Sequence, residues 1–427
     1  MFYNRLKSQY GRSLVILMGG TFVAQLIPII FYPIVSRIFS PSDFGTLSVF
    51  TQIASILSII APGGYLYAIF ICKKKKEAFN TFSLSIMLSF IFLLFIFLCS
   101  IPFKERIATI LNEVLLEEFL YFPFLSALFV IVYQCYNEWC VRNKSFKQLS
   151  FNKCVNSGAM SISETLIGCI NPSLFANGLL FGELLGRGIS ATSCLFSIFK
   201  NDFYLLKFFQ WQEVKCIMKK YSNFPKYIMP GKLINTVACG LPVFYLSNAF
   251  TKDEVGFFSM ASMVLVIPIS VVSVAVSDAF RQKANEDFIK FGSCRSILIK
   301  TIVPLSIISL VGFTLLFLIA PELFRLVLGD KWIMAGVYSR YLMLMMAVSF
   351  ISEIAKPILI IAGKQHYDLL WQILFLCSII IVIAISRLSD NIYTFLLLYS
   401  VVKSALFMMQ LLWCYKFSSS NNEGNNG

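Results

Sequence analysis

Arg37-Ile38-Phe39-Ser40-Pro41-Ser42-Asp43-Phe44-Gly45-Thr46-Leu47-Ser48 is a short polar stretch between two long apolar runs, and its pattern returns later in the chain. Residues 248–259 read Asn248-Ala249-Phe250-Thr251-Lys252-Asp253-Glu254-Val255-Gly256-Phe257-Phe258-Ser259. Phe39 lies over Phe250, Ser40 over Thr251, Asp43 over Glu254, Gly45 over Gly256 and Ser48 over Ser259. Gly20 and Gly231 keep the same offset at the head of the preceding apolar run. The repeat predicts two equivalent helix–turn–helix units, and so two halves related by a parallel repeat and meeting near residue 210. Pro41 marks where the second helix cannot yet have started, and Gly45 is expected to serve the backbone of the turn.

Working outward, the chain is 58% hydrophobic and only 14% charged over 427 residues. Soluble proteins carry about a quarter charged residues, so lipid must be the solvent for most of this surface. Twelve apolar runs approach the roughly 20 residues that cross a bilayer as helix. They fall near 13–36, 44–71, 81–101, 120–141, 154–171, 174–199, 227–250, 256–280, 297–320, 338–362, 369–386 and 392–415. None alternates with the period of a strand, so the fold class is all-α integral membrane protein, about twelve transmembrane helices in two six-helix halves. The expected domains are an N-terminal lobe over 1–199, a cytoplasmic amphipathic linker over 200–226, a C-terminal lobe over 227–415 and a disordered tail over 416–427. Pro28 and Pro33 should bend the first span, and Pro242 the seventh.

With twelve spans both termini lie on one side. Loops on that side hold 24 of the 36 Lys and Arg residues, including Lys73 to Lys76, and the opposite loops hold 8. Positive residues mark the inner side, so both termini are expected in the cytoplasm. The same topology accounts for the net charge of +14, and no nucleic-acid partner is implied. The N-terminal run is too long for a cleaved signal and is read as the first span. Residues 102–118, with Glu105, Glu113, Glu117 and Glu118, are expected as an interfacial helix on the outer side, and 321–340 as the largest outer loop. The linker sets Lys207, Lys215, Lys219 and Lys220 among Phe208, Phe209 and Trp211, a helix suited to the inner leaflet.

Chemistry that needs metal-ligand clusters or a nucleophile triad finds little here. The twelve Cys include no CxxC pair and the one His is His366, so no metal or cofactor is expected. There is no GxxxxGK[ST] loop for ATP. The informative residues are charges inside the spans: Arg187, Lys232, Lys356 and Lys403, with Glu138, Glu164, Glu183, Asp278 and Glu353. Each costs about 2.5–3.5 kcal/mol at mid-helix if unpaired. Glu183 and Arg187 stand four apart, Glu138 and Arg142 likewise, and Glu353 and Lys356 three apart, as do Asp278 and Arg281. Such pairs neutralise one another, and Lys232 can snorkel to the inner surface. Lys403 and Glu164 have no partner at helical spacing; they pair across the bundle or face a wet cavity. Gly182, Gly186 and Gly188 let a helix or a substrate approach Arg187, with close helix packing the blander use. Cations at membrane depth suit an anionic substrate, and the acids beside them suit proton or sodium coupling.

The turn F-[ST]-x-x-[DE]-Φ-G opening the second helix of each half resembles that of the polysaccharide-transporter family, the Wzx-type flippases, in the superfamily that also holds multidrug and toxin extrusion transporters. Further similarities are Phe224-Pro225-Lys226-Tyr227, Pro268-Ile269-Ser270, Asp278-Ala279-Phe280 and Ala320-Pro321-Glu322-Leu323. The resemblance spans about 13–415. It implies a flippase of the bacterial cytoplasmic membrane that carries undecaprenyl-pyrophosphate-linked oligosaccharide units, for O-antigen, capsule or exopolysaccharide, from the inner to the outer leaflet by alternating access. Polymerase and chain-length proteins of the same glycan pathway are the implied partners, beside membrane lipid.

On this reading Arg187, Lys403, Lys356 and Lys232 are candidates for the pyrophosphate or an anionic glycan, and Glu164, Glu183 and Glu353 for the coupling ion. The alternative is a cation-coupled antiporter for drugs or organic cations on the same fold, which predicts an acid-dominated cavity. An enzyme fits least: a polymerase would need larger outer loops, and a single His weakens acyl transfer.

Overall fold

The computed structural model describes residues 9–170, 178–202, 204 and 209–419. Among them are twelve long helices: α1 Gln9–Ile38, α2 Pro41–Ile60, α3 Lys75–Ser100, α4 Tyr121–Arg142, α5 Phe146–Ile170, α6 Gly178–Asp202, α7 Met229–Ala249, α8 Lys252–Phe291, α9 Arg295–Leu328, α10 Ile333–Ala355, α11 Gln365–Ser386 and α12 Ile392–Phe417. Each overlaps one predicted run. Among the described residues nine segments are long and apolar enough to cross a membrane on composition alone. The expected N-terminal dozen residues, part of the linker (Lys207 and Phe208 among them) and the far tail lie largely outside the described residues.

The repeated turns have matching chemistry. Ser40 accepts from the Asp43 amide at 3.3 Å while Asp43 Oδ2 accepts from the Ser40 amide at 2.8 Å. Thr251 and Glu254 repeat this reciprocal cap at 3.4 and 2.9 Å. Two orphan amides at each helix start are thus satisfied, which is why a hydroxyl and an acid recur three residues apart. Pro41 is not outside the helix but its first residue, where a missing amide hydrogen costs nothing. The glycines also differ from expectation. Gly45 lies inside α2, and a Cβ there would stand 2.2 Å from the Lys252 carbonyl oxygen. A Cβ on Gly256 would stand 1.9 Å from that of Pro41. Each repeat therefore needs its glycine because the other repeat's turn packs against it. This end of the helices is called the turn side below, and the opposite end the linker side.

The chain forms two compact units, Met1–Gly256 and Phe257–Gly427. In the first, α1 packs along α5, α5 along α6, and α4 against α2, α3 and α6, while α7 lies on α2. The expected second span is broken. α2 ends at Ile60, Gly63 and Gly64 take φ of 56° and 73°, and a tight 3-10 helix follows over Tyr65–Ile71. The linker helix Trp211–Lys220 is amphipathic as expected, but its apolar face lies on protein. Val214 and Ile217 are buried in a core with Leu66, Phe79 and Trp139, and Glu213 accepts from Asn80 at 2.6 Å. Trp211, Lys215 and Lys219 remain exposed. Residues 104–118 fold as two short helices, Lys104–Leu111 and Leu115–Glu118, rather than one interfacial helix. Glu113 between them is only 1% exposed.

In the second unit α10 packs between α9 and α12, with α11 on α12. The predicted loop at 321–340 is mostly helix, because α9 continues through Pro321 to Leu328. Proline removes an amide and frees the carbonyl four residues earlier. Here Arg340 donates to the carbonyls of Phe317 and Leu318 at 2.7 and 2.9 Å. The cation counted as a loop charge thus substitutes for the missing amide.

Candidate functional site

In the first unit three of the intramembrane charges, Glu164, Glu183 and Arg187, converge where α5 and α6 touch. A Cβ on Gly182 would sit 2.6 Å from the Glu164 Cα, and one on Gly186 2.4 Å from the Met160 Cα. Small residues one helical turn apart let two backbones approach closely in lipid, the blander of the two uses expected for these glycines. The approach brings Glu164 into hydrogen-bond contact with Glu183. Arg187 donates to Glu183 through Nε at 2.7 Å and Nη2 at 2.5 Å, and through Nη1 to Ser126 Oγ of α4 at 2.9 Å. Tyr32 of α1 feels both carboxyls. Two acids, one guanidinium and the Ser126 hydroxyl therefore form one connected, largely buried group, within electrostatic reach of Tyr32. Neutrality of that group requires one further positive charge, so it is chemically suited to hold a proton or a small cation. Leu47, Phe50, Phe122 and Leu180 line a small cleft that reaches Glu183.

Nearer the linker side, the Lys232 ammonium lies over the Tyr67 ring, 4.3 Å from its centroid. Glu138 feels Lys232. The expected attraction of Glu138 to Arg142 gives way to other contacts. Arg142 donates to the carbonyls of Cys72 and Lys73 at 3.0 and 3.1 Å, holding the chain that follows the 3-10 helix.

The second unit carries two further sites. The Lys403 ammonium meets the Tyr399 hydroxyl at 3.0 Å and lies over the rings of Phe375, Tyr399 and Phe407 at 4.7, 5.2 and 6.0 Å. Aromatic faces stabilise a desolvated cation without neutralising it. Lys356 pairs with Asp368 of α11 at 3.1 Å. It also feels Glu353, which is itself exposed. The Asp278 side chain lies outside what the structure describes.

Glu164 and Lys403, left open as a cross-bundle pair, thus each have described partners in their own unit. Ser126, Tyr32, Phe375 and Asp368 were missed, since contacts across helices leave no trace in spacing along one helix. Only Asp368, an acid at the head of an apolar run, carried a readable signal. Among the described residues no group of three or more His, Cys, Asp or Glu is arranged to hold a metal ion.

Residues 34–336 match the family model described as polysaccharide biosynthesis protein. The chain belongs to that family. No curated protein matches it in sequence. Among solved structures it is similar to one described as lipid II flippase MurJ in an inward closed conformation, with TM-score 0.76 and 14% identity over 94% of this chain and 87% of that one. It is also similar to an inward-facing multidrug resistance MATE transporter of the MOP superfamily, with TM-score 0.70 and 14% identity over 92% and 94% of the two chains. A MOP transporter from Pyrococcus furiosus, whose description reports reversed polarity of its binding pocket, gives TM-score 0.62 and 14% identity over 96% of each. At these identities the likeness is one of fold, that of a multi-pass membrane protein built from helices.

Proposed function

We propose that this chain is a flippase for polyprenyl-pyrophosphate-linked oligosaccharide, working by alternating access in the bacterial cytoplasmic membrane with both termini in the cytoplasm. The observation that carries the reading is the placement of cations at membrane depth in both units, on a chain of the polysaccharide biosynthesis family. Arg187 and Lys232 lie in one unit, Lys356 and Lys403 in the other. A pyrophosphate carries charge that only such groups can compensate away from water. Aromatic rings beside Lys232 and Lys403 lie against the ammonium and offer sugar-stacking faces. The Glu164–Glu183–Arg187 group couples transport to a proton or sodium gradient. Polymerase and chain-length proteins of the glycan pathway are its partners, and no bond is made or broken by the chain itself.

The acid pair favours a second reading, an antiporter for organic cations. The two readings separate in cells lacking this chain but retaining the glycan pathway. The flippase reading expects a pyrophosphate-linked repeat unit to accumulate on the inner leaflet while surface glycan disappears. The intact chain should reverse this, and Arg187→Ala or Lys403→Ala should not. Normal surface glycan with no accumulated intermediate, and no redundant flippase, would overturn it and favour the antiporter.

A further inference from the structure

Residues 104–118 cross the turn side of the first unit with two kinds of contact on two kinds of neighbour. Part of their apolar surface faces the first six helices: Ala108 and Leu116 are buried, and Ile107, Leu111 and Leu115 partly buried, in a cluster with Phe50, Phe122 and Leu180 of α2, α4 and α6, while Ile110 and Val114 are exposed. Toward α7 and α8 they make hydrogen bonds and an ion pair. Asn112 donates to the Ser247 carbonyl at 3.0 Å, Ser247 Oγ donates to the Leu111 carbonyl at 2.6 Å, and Asn248 donates to the Ile110 carbonyl at 3.0 Å. Asn112 ends the first short helix in the left-handed region at φ 50°, a role asparagine tolerates, and the chain then buries Glu113. One Glu113 oxygen accepts from Thr46 of α2 at 2.9 Å, and the other from Lys252, in the first turn of α8, at 2.7 Å. The Glu113 side chain is 1% exposed but that of Lys252 is 34% exposed, so water can replace the carboxylate on the lysine.

We infer that residues 104–118 are a releasable strap. It stays seated on α2, α4 and α6 through apolar burial. It holds the end of α7 and the start of α8 through hydrogen bonds and the Glu113–Lys252 ion pair, and it lets them go whenever the turn side opens. Apolar contacts give permanent attachment; polar contacts that water can match give a reversible one. A buried carboxylate that loses its cation is left strongly disfavoured, so the ion pair is the step that sets how readily the strap lets go. The inference rests on the alternating-access reading, though not on the identity of the substrate.

The test is hydrogen–deuterium exchange on the full chain in lipid nanodiscs, comparing wild type with Lys252→Met, Glu113→Gln and the double variant. Lys252→Met keeps an unbranched apolar stem and removes the charge. Each single variant should speed amide exchange over residues 247–256 by about tenfold or more. The double variant should be no faster than the singles, and α11 and α12 should be unchanged, which confirms an intact fold. Wild-type exchange in both singles, or additive effects in the double, would overturn the latch. Cross-linking Ile110→Cys to Asn248→Cys should then arrest transport and a reductant restore it, with identically treated wild type as control; full transport by the cross-linked chain would overturn release. If exchange responds but no lipid-linked oligosaccharide moves in any variant or in wild type, the substrate reading fails while the latch stands.

Discussion

Pro321 leaves the Phe317 carbonyl without its helical donor, and in a bilayer no solvent replaces it. Arg340 does so, and the fit extends to Gly336, where a Cβ would stand 2.6 Å from the Pro321 Cα. α9 and α10 therefore meet at the proline, with the guanidinium reaching two carbonyls at once. Arg340→Met should cost about 1–3 kcal/mol, the penalty for leaving a previously bonded polar group unsatisfied. Arg340→Lys should recover only part of it, since an ammonium lacks the planar fork. Thermal unfolding in detergent checks this, with Arg325→Met as comparison: Arg325 pairs with Glu322 at 2.7 Å, but both are well exposed, and exposed pairs contribute little. Equal losses in Arg340→Met and Arg325→Met would mean that Arg340 supports nothing specific. In the sequence, Arg340 was legible only as a positive residue in a loop. Nothing along the chain links it to a proline nineteen residues earlier.

At the scale of helices, the reading succeeded where local chemistry governs and failed where tertiary contact does. Apolar length located the twelve long helices, and the repeated turn marked where α2 and α8 begin, though not that its hydroxyl and acid form a capping box. The break after Ile60 was missed because Ala61, Tyr65 and Leu66 are as apolar as the helix before them; Gly63-Gly64 was the available signal. Glu113 was assigned to an interface because charge predicts exposure, whereas its burial depends on donors 67 and 139 residues away. The candidate site divides the same way. Glu183 and Arg187 were readable as a pair one turn apart, and the addition of Glu164 depends on how closely α5 approaches α6. That closeness can be tested. Gly186→Ala must separate the two helices or shift the Met160 backbone, at a cost of about 1–3 kcal/mol, and should loosen Glu164 from Glu183. Gly158→Ala, on α5 with nothing within 4 Å of its Cβ, should be neutral or stabilise by up to about 1 kcal/mol. The pair of Tm values decides it: a Gly158→Ala loss as large as that of Gly186→Ala would show that helix propensity, not approach, governs both sites.

For the whole molecule, orientation follows from where positive charge is costly to translocate. Twenty-four Lys and Arg residues on the terminal side against eight opposite make a strong asymmetry, carried by segments that flank every second span. The structure adds a reason why the Lys73–Lys76 segment is fixed at its surface. Arg142 binds the carbonyls of Cys72 and Lys73, while Lys73, Lys74 and Lys76 point outward. The cluster is thereby held at the head of α3, next to the linker helix, whose Lys220 forms an ion pair with Glu77. The proposed orientation, with both termini in the cytoplasm, expects a fluorescent-protein fusion after Gly427 to fluoresce and a phosphatase fusion there to be inactive. Fusions truncated after Asn112 should show the reverse. Replacing Lys73 to Lys76 by Gln should leave the C-terminal result unchanged, since six other positive segments still oppose inversion. An active phosphatase after Gly427 in the wild-type chain would reverse the orientation. It would then place the strap at 104–118 on the cytoplasmic face.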